Sequence, residues 1–330
     1  MITKKSFTVT IVSLALTTTA GLAGSGAPPG GTAPSPRSAP PGRPALGRDP
    51  LAASTQLCGY GAIPVNDGAY TVQNNEWASS QLECITTSGE PGFQVQTSQI
   101  ANSTYGPPGA YPSIYTGCHW GYCTAGGLGA GPLRIGSLTR GRLTTSFSAS
   151  LPRGGYYDVS YDIWINKTRV ATGEPNGTEV MVWLGHDGPV QPQGSMVARD
   201  IAIGSHAYDI WYTRSTAAAG GTVSFAMTSQ VTAVSSLDLG QLIQETVHRG
   251  YTSPLWYLID IEAGFEIWRG GSGLAVSSFG VRVGQPDHTT TPPVTIPTLP
   301  APSPPRPATP AGTRPPRGSS AGTEARHVPR

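Results

Sequence analysis

The sequence predicts an all-β fold, a sandwich of two antiparallel sheets with one α-helix. Short runs of alternating apolar and polar residues recur along the middle of the chain, and Gly, Pro or Asn separate them. One segment alone has the apolar spacing and the end signals of a helix. Strands and helices do not alternate along the sequence, which argues against a parallel α/β sheet.

The strands are predicted from side chains that alternate between two faces. They span 70–79, 156–165, 179–185, 207–214, 221–229, 255–268 and 274–283. In the second of these strands and in the part of the sixth after Leu258, the odd-numbered positions are apolar or aromatic. Because successive side chains of a strand point to opposite faces, these odd-numbered residues, Ile259 included, should face the core.

The helix is predicted within 236–249. Ser236 can cap its first turn, and Gly250 follows as a stop signal. Its apolar stripe consists of Leu239, Leu242, Ile243 and Val247.

The two ends of the chain differ in composition from its middle. Residues 1–27 carry lysines, an apolar run and then small residues, which predicts a secretory signal peptide that is too short for a membrane span. Residues 28–54 are a Pro/Gly-rich linker and 285–330 a Pro/Thr-rich tail, and both are predicted to be disordered. The range 55–284 remains as one folded domain, so the mature protein should be secreted, extracellular and free of membrane segments.

The low charge of the chain narrows the class of partner. Charged residues make up 12% of the sequence and the net charge is +2, against about 25% charged residues in a typical soluble domain. Basic residues form no stripe, so a nucleic-acid partner is not expected. An exported domain of this composition favours a neutral partner.

The four cysteines predict two disulfides. They are Cys58, Cys84, Cys118 and Cys123, and an even number in an exported chain favours pairing. Three connectivities are possible, of which the most local joins Cys58 to Cys84 and Cys118 to Cys123. His119 lies inside the second pair, but no further ligand pair accompanies it, so neither a metal site nor a cofactor is expected.

Several acids lie on the predicted non-core faces of strands. They are Asp158, Asp162, Glu179, Asp260, Glu262 and Glu266. Any one of them could be a solvated position on an outer sheet. However, Asp162, Glu179 and Glu266 each share a strand face with a tryptophan, which is unusual for a plain solvent face. Two carboxylates beside aromatic rings are what glycoside hydrolysis requires.

Other hydrolytic and nucleotide-binding chemistries lack their sequence motifs. The sequence contains no G-x-S-x-G elbow, no H-E-x-x-H and no phosphate-binding loop. The histidines are scattered, and His119 is the one that lies in an aromatic cluster.

Six blocks that occur in order identify a family. They are "YTVQNNEWAS", "YPSIYTGCHWGYC", "YDIWIN", "NGTEVMVWLG", "GPVQPQGS" and "AGFEIWRGGSGLAV". With these blocks the chain resembles, from Cys58 to Val283, the retaining β-glucanases of glycoside hydrolase family twelve. The resemblance implies a concanavalin-like β-jelly roll, with one helix and a long cleft across the concave sheet.

The resemblance also implies roles for single residues. Glu179 matches the nucleophile, Glu266 the acid/base, and Asp162 the aspartate that hydrogen-bonds the nucleophile. The positions that resemble sugar-binding residues are Asn75, Trp77, His119, Met181 and Trp183.

Three positions depart from the family pattern. Glu262 stands near a position where the family usually has an amide, and its charge is expected to perturb the pKa of Glu266. Arg269 follows the acid/base strand and is expected to narrow the leaving-group side of the cleft. Ala78 stands where Gly is common.

The function implied is a secreted endo-β-1,4-glucanase that cleaves β-glucan polysaccharide with retention, as a monomer and without a cofactor. Xyloglucan-specific or mixed-linkage-glucan hydrolysis on the same scaffold is an alternative. A non-catalytic carbohydrate-binding jelly roll is a further alternative, and it predicts the loss of one or more of the motif acids, all of which are present.

Overall fold

The structure, a computed structural model, describes residues 54–129, 131–214 and 220–284. The predicted signal peptide, nearly all of the predicted linker and the predicted tail lie outside the described residues, so their boundaries stay predictions. Among the described residues, no helix has the length and apolar composition to cross a bilayer.

Strands are the main regular secondary structure of the described residues. In chain order they are β1 (Thr55–Cys58), β2 (Ala62–Val65), β3 (Tyr70–Gln73), β4 (Glu83–Thr87), β5 (Phe93–Ser98), β6 (Ser113–His119), β7 (Tyr122–Cys123), β8 (Leu133–Arg134), β9 (Leu143–Ser150), β10 (Tyr156–Asn166), β11 (Glu179–Asp187), β12 (Ser195–Ile203), β13 (His206–Thr213), β14 (Thr222–Met227), β15 (Ala233–Asp238), β16 (Tyr257–Gly264), β17 (Ile267–Arg269) and β18 (Ala275–Val283). A short 3-10 helix spans Ile135–Ser137, and α1 spans Leu239–His248.

The strands form two sheets that enclose the core. The smaller sheet has six strands in the order β1-β4-β5-β18-β9-β15. The larger sheet follows the order β12-β13-β14-β11-β10-β16-β6-β3-β2, and the short strands β7, β8 and β17 pair with β6, β16 and β10. The predicted sandwich of antiparallel sheets is confirmed, with one exception: β11 and β14 run parallel.

The core face follows the predicted alternation except at one position. The odd-numbered residues of β10 from Tyr157 to Ile165 are buried in the main apolar cluster. On β16 the pairing with β10 shifts, so that Trp164 lies opposite Asp260 but Ile165 lies opposite Leu258. Leu258 therefore enters the core, and Ile259 packs against Trp164 on the other face, so its predicted position was wrong.

Two predicted strands are shorter than their sequence patterns. The strand predicted over 70–79 ends at Gln73, because the Asn74 side chain donates to the carbonyls of Gly59 and Glu83 and Asn75 takes a left-handed φ of 46°. The strand predicted over 255–268 divides into β16 and β17.

The break between β16 and β17 is held by two backbone hydrogen bonds. The Phe265 amide donates to the Pro112 carbonyl, and the Asp158 amide donates to the Glu266 carbonyl. Glu266 therefore lies at an interruption of the sheet, between two regular strands.

Helix α1 begins later than predicted. Residues 233–238 form β15, whose Asp238 is paired with Thr144 of β9, and this pairing keeps Ser236 in a strand. Asp238 caps the helix by accepting a hydrogen bond from the Gln241 amide. Gly250, with a φ of +74°, follows the last turn as predicted.

The most local disulfide connectivity is confirmed. Cys58 pairs with Cys84 and joins β1 to β4, while Cys118 pairs with Cys123 and joins β6 to β7.

Candidate active site

The acids singled out in the sequence lie on the face of the larger sheet that points away from the core. Strand β10 lies between β11 and β16, and Asp162 on β10 is opposite Met181 on β11 and Glu262 on β16. Two residues further along β10, Trp164 is opposite Glu179 on one side and Asp260 on the other. Pairing of three neighbouring strands thus brings these carboxyl groups together.

Glu179 begins β11 and is half-buried. The parallel pairing of β11 with β14 places Thr222 opposite it, and the Thr222 hydroxyl donates to Oε2 of Glu179. Burial raises the pKa of Glu179 to about 7; the charge of Glu262 adds to the rise, and the hydrogen bond from Thr222 opposes it. Sequence reasoning missed Thr222, since alternation within a strand does not reveal which strand lies beside it.

Asp162 is 8% exposed on β10. Burial raises its pKa well above the ordinary value, and the charges of Glu179 and Glu262 raise it further. Among the described residues its Oδ1 atom has no hydrogen-bond partner, and the hydrogen bond to Glu179 comes from Thr222. The role of Asp162 as the partner of Glu179 stays a prediction.

Glu266 is half-buried and has a second carboxyl group, Asp158, as its neighbour. Oδ1 of the fully buried Asp158 accepts hydrogen bonds from the Ser160 hydroxyl, at 2.7 Å, and from the Glu266 amide, at 3.4 Å. Burial raises the pKa of Glu266 well above its ordinary value, and the charge of Asp158 and a hydrogen bond to it add to the rise. Burial also raises the pKa of Asp158, to about 6.

Glu262 was expected to perturb the pKa of Glu266, but it is not among the groups that shift it. After burial, the groups that raise the pKa of Glu266 are Asp158, Asp162 and Glu179. Glu262 acts instead on the other half of the site, because its charge raises the pKa of both Asp162 and Glu179.

Glu262 belongs to a buried network with His119. Nδ1 of His119 lies 2.5 Å from Oε1 of Glu262 and 3.5 Å from Oδ2 of Asp260. Oε2 of Glu262 accepts hydrogen bonds from Gln73 at 2.9 Å and from Ser113 at 3.0 Å.

The network shifts the proton affinity of each member. Burial alone would lower the pKa of His119, but the charges of Glu262 and Asp260 and the hydrogen bonds to them raise it to about 10. Burial would raise the pKa of Glu262, but His119 holds it below the ordinary value. Asp260 is fully buried, and burial raises its pKa well above the ordinary value.

The spacing of this network would suit a small cation, because the ligand atoms of His119, Asp260 and Glu262 lie within 4.8 Å of one another. Both oxygens of Glu262 already accept hydrogen bonds from protein donors. A hydrogen-bonded network accounts for the three groups, and the expectation of no metal stays a prediction.

Three of the residues that resemble sugar-binding positions are at least partly exposed. Trp77 is 47% exposed, and the His119 side chain is 16% exposed between the rings of Tyr115 and Trp120. Asn75 is half-buried, and its carbonyl accepts a hydrogen bond from the Tyr111 amide. Their contacts with sugar stay predictions.

Met181 and Trp183 lie deeper than the other three. They pack with Val190 and Trp268 into a small cluster on the cleft side of the sheet, and Trp183 is only 2% exposed. The Trp268 indole donates to the Gly106 carbonyl, and this hydrogen bond fixes the ring within the cluster. In this arrangement Trp183 is a packing residue of the cluster, and its contact with sugar stays a prediction.

Arg269 lies beside the cluster on an exposed position of β17. Its guanidinium is 5.1 Å from the centre of the Tyr156 ring, in a cation–π contact. The predicted narrowing of the leaving-group side by Arg269 stays a prediction.

The geometry agrees with comparisons of this chain with known proteins. Residues 68–284 match Glycosyl hydrolase family 12. A probable cellulase, Cel12b of Mycobacterium tuberculosis, is 31% identical over 152 residues, which is 46% of this chain and 96% of that protein. A xyloglucan-specific endo-beta-1,4-glucanase of Phytophthora nicotianae is 27% identical over 236 residues, 65% of this chain and 86% of that protein.

Solved structures give the same result. The endoglucanase cel12A from Rhodothermus marinus superposes with a TM-score of 0.64 at 34% identity, over 70% of this chain and 99% of that one. A metagenome-derived glycoside hydrolase family 12 endoglucanase superposes with a TM-score of 0.65 at 33% identity, over 70% of this chain and 98% of that one. This chain therefore belongs to glycosyl hydrolase family 12 and is a glycoside hydrolase.

Proposed function

We propose that this protein is a secreted endo-β-1,4-glucanase that hydrolyses internal bonds of β-glucan with retention, with Glu179 as nucleophile and Glu266 as acid/base. Membership of the family and the similarity to proteins named as cellulase and endoglucanase support this activity. The predicted signal peptide supports secretion.

The two glutamates would act in two steps. In the first, the Glu179 carboxylate attacks C1 of the sugar while Glu266 gives its proton to the glycosidic oxygen, so the leaving chain departs as an alcohol. In the second, Glu266 takes a proton from water, the water oxygen attacks C1, and the bond to Glu179 breaks. Two inversions at C1 give net retention.

The observation that carries this division of labour is the contrast between the two environments. Thr222 donates to Glu179, and a donor stabilises the carboxylate form that a nucleophile needs. Asp158 is an acceptor beside Glu266 and favours the protonated form that an acid needs. Two acids whose surroundings push their proton affinities apart are suited to opposite roles.

Asp162 would assist Glu179 as a neutral acid. Its pKa is raised by burial and by the charge of Glu179, so it holds its proton while Glu179 is ionised. A protonated carboxyl group on the adjacent strand would avoid repulsion between two buried charges.

Two polymers are candidates, because similar proteins include both a probable cellulase and a xyloglucan-specific glucanase. Incubation of the full chain with carboxymethylcellulose, mixed-linkage glucan, xyloglucan and xylan, followed by sizing of the products, identifies the preferred chain. The reading as a non-catalytic binding module predicts no products from any of the four.

Retention is tested by following the anomer released from a β-glucan by NMR. We expect β-configured reducing ends first, followed by slow mutarotation. Release of the α anomer first would rule out the roles proposed for Glu179 and Glu266.

A further inference from the structure

We propose that Glu262 is a positioning residue that holds His119 as an imidazolium. The cleft floor would then present a fixed N–H donor to a sugar hydroxyl, and the charge of Glu262 would be balanced next to the nucleophile. This inference deepens the proposed glucanase function and rests on it.

The hydrogen bonds around Glu262 are those of a carboxylate. Three donors converge on it: His119 on Oε1, and Gln73 and Ser113 on Oε2. Glu262 is 1% exposed, so water does not compete for these contacts. A carboxylate accepts all three hydrogen bonds when His119 donates from Nδ1, whereas the alternative places the shared proton on Glu262 and leaves His119 neutral, and the titration below distinguishes the two.

His119 is held so that only one ring nitrogen is left for a ligand. Its ring centre lies 5.3 Å from that of Tyr115 and 4.5 Å from that of Trp120, and the Cys118–Cys123 bridge closes the turn that carries it. Nδ1 faces Glu262, and among the described residues the structure shows no hydrogen bond to Nε2. With 16% of the side chain exposed, Nε2–H is the donor that a bound sugar could reach.

The groups around His119 are predominantly acidic. Strand β16 contributes Asp260 and Glu262, which both face Nδ1, and Asp162 lies opposite Glu262 on β10. The strands that flank the histidine contribute the phenols Tyr115 and Tyr122. Two carboxyl groups on one imidazole nitrogen favour the charged ring, and the pKa of His119 is raised accordingly, to about 10.

The balance of charge matters for the nucleophile. A lone carboxylate at Glu262 would oppose ionisation of Glu179, and its charge does raise the pKa of that group. The imidazolium of His119 offsets this charge while it leaves the hydrogen bonds of Glu262 in place. The site can therefore carry an extra buried acid and still ionise its nucleophile.

The first test is a histidine side-chain NMR titration of the full chain, with the His119 signals assigned by their loss in His119→Asn. We expect His119 to remain an imidazolium from pH 5 to 8 in the wild type. In Glu262→Gln it should lose its proton about 1–3 pH units lower. Titration of wild-type His119 near the ordinary value of about 6.5 would overturn the proposal without any variant.

The second test is the pH profile of kcat/KM for Glu262→Gln on an aryl β-cellobioside with a good leaving group. We expect activity to persist at acidic pH and to fall above the new His119 midpoint, so that the basic limb moves to lower pH. A loss of the same factor at every pH would show that Glu262 only supports the fold, and would refute the positioning role.

Glu245→Gln is the matched control, because Glu245 on helix α1 also faces a histidine, His248, at 3.6 Å, but that side chain is 83% exposed. It should change neither the His119 titration nor the pH profile. The NMR titration does not depend on turnover. A wild-type protein that is inactive on glucans would refute the proposed function, and the titration would still show whether Glu262 keeps His119 protonated.

Discussion

Glu83 is a buried acid outside the catalytic cleft, and its burial predicts a loss of stability as the pH rises. It begins β4 beside Cys84, is 0% exposed, and neither carboxyl oxygen has a hydrogen-bond partner among the described residues. Burial raises its pKa from 4.5 to about 8, and the charge of Glu76 adds to the rise. The folded protein therefore keeps Glu83 neutral over a range in which the unfolded chain ionises it.

The direction and the size of the change in stability follow from this difference in pKa. Between pH 4.5 and about 8 the folded state binds a proton that the unfolded state has lost, so the free energy of unfolding falls with pH across that window. One pKa unit corresponds to about 1.4 kcal/mol. The full rise gives an upper bound of about 5 kcal/mol, all of it lost above pH 8.

Glu83→Gln isolates this contribution, since the amide is neutral at every pH and has nearly the same volume. We expect the stability of the wild type, measured by urea unfolding from pH 4.5 to 8.5, to fall more steeply than that of the variant. The difference between the two curves should grow by a few kcal/mol. Parallel curves would refute the reasoning, because they would mean that Glu83 ionises without cost in the folded state. Glu90→Gln, an exposed position near the next turn, is the control.

The remaining predictions concern the cleft. Glu179→Gln should abolish turnover of every substrate because no nucleophile remains, whereas Glu266→Gln should spare the first step on activated aryl glycosides, measured as a burst of phenol. Asp158→Asn should lower the pKa of Glu266, read from its carboxyl carbon by NMR, by about 1–3 pH units because it removes the neighbouring charge. Thr222→Val should raise the acidic limb of the kcat/KM profile by about 1–2 pH units, since a hydrogen bond to a charged group contributes about 1.5–3 kcal/mol.

Each of these has a matched control and a contradicting result. Asp187→Asn changes an acid on the neighbouring strand β11 and should leave the Glu266 titration unchanged, and Thr228→Val should leave the acidic limb in place. Burst kinetics that are lost equally in Glu179→Gln and Glu266→Gln would contradict the division of labour. An unshifted acidic limb in Thr222→Val would mean that its hydroxyl does not stabilise the ionised Glu179.

The sequence was informative wherever a local pattern determines the structure. Alternation along β10 separated its buried odd-numbered face from Asp158 and Asp162, and this division is confirmed. The most local of the three possible cysteine pairings is the one found. Such features depend on residues close in the chain, so periodicity is sufficient to predict them.

Features that depend on pairing between distant strands could not be predicted in this way. Ile259 leaves the core because the register of β16 against β10 shifts, and no local signal marks that shift. Thr222 reaches Glu179 through the one parallel pair of the larger sheet. Ser236 has a good capping side chain, but it lies in β15, which pairs with β9. The helix therefore starts after Asp238.

The same long-range pairing explains how one sheet face tolerates so many acids. Two unit charges 4 Å apart repel by about 4 kcal/mol at an effective dielectric constant of 20, so the group cannot ionise together. Two groups of residues reduce this repulsion in different ways. Asp158 and Glu266 share a proton, and Glu262 is paired with His119. Asp162 keeps its proton between these two groups. The hydrogen bond from Thr222 favours the ionised form of Glu179, which is the form that the proposed nucleophile requires.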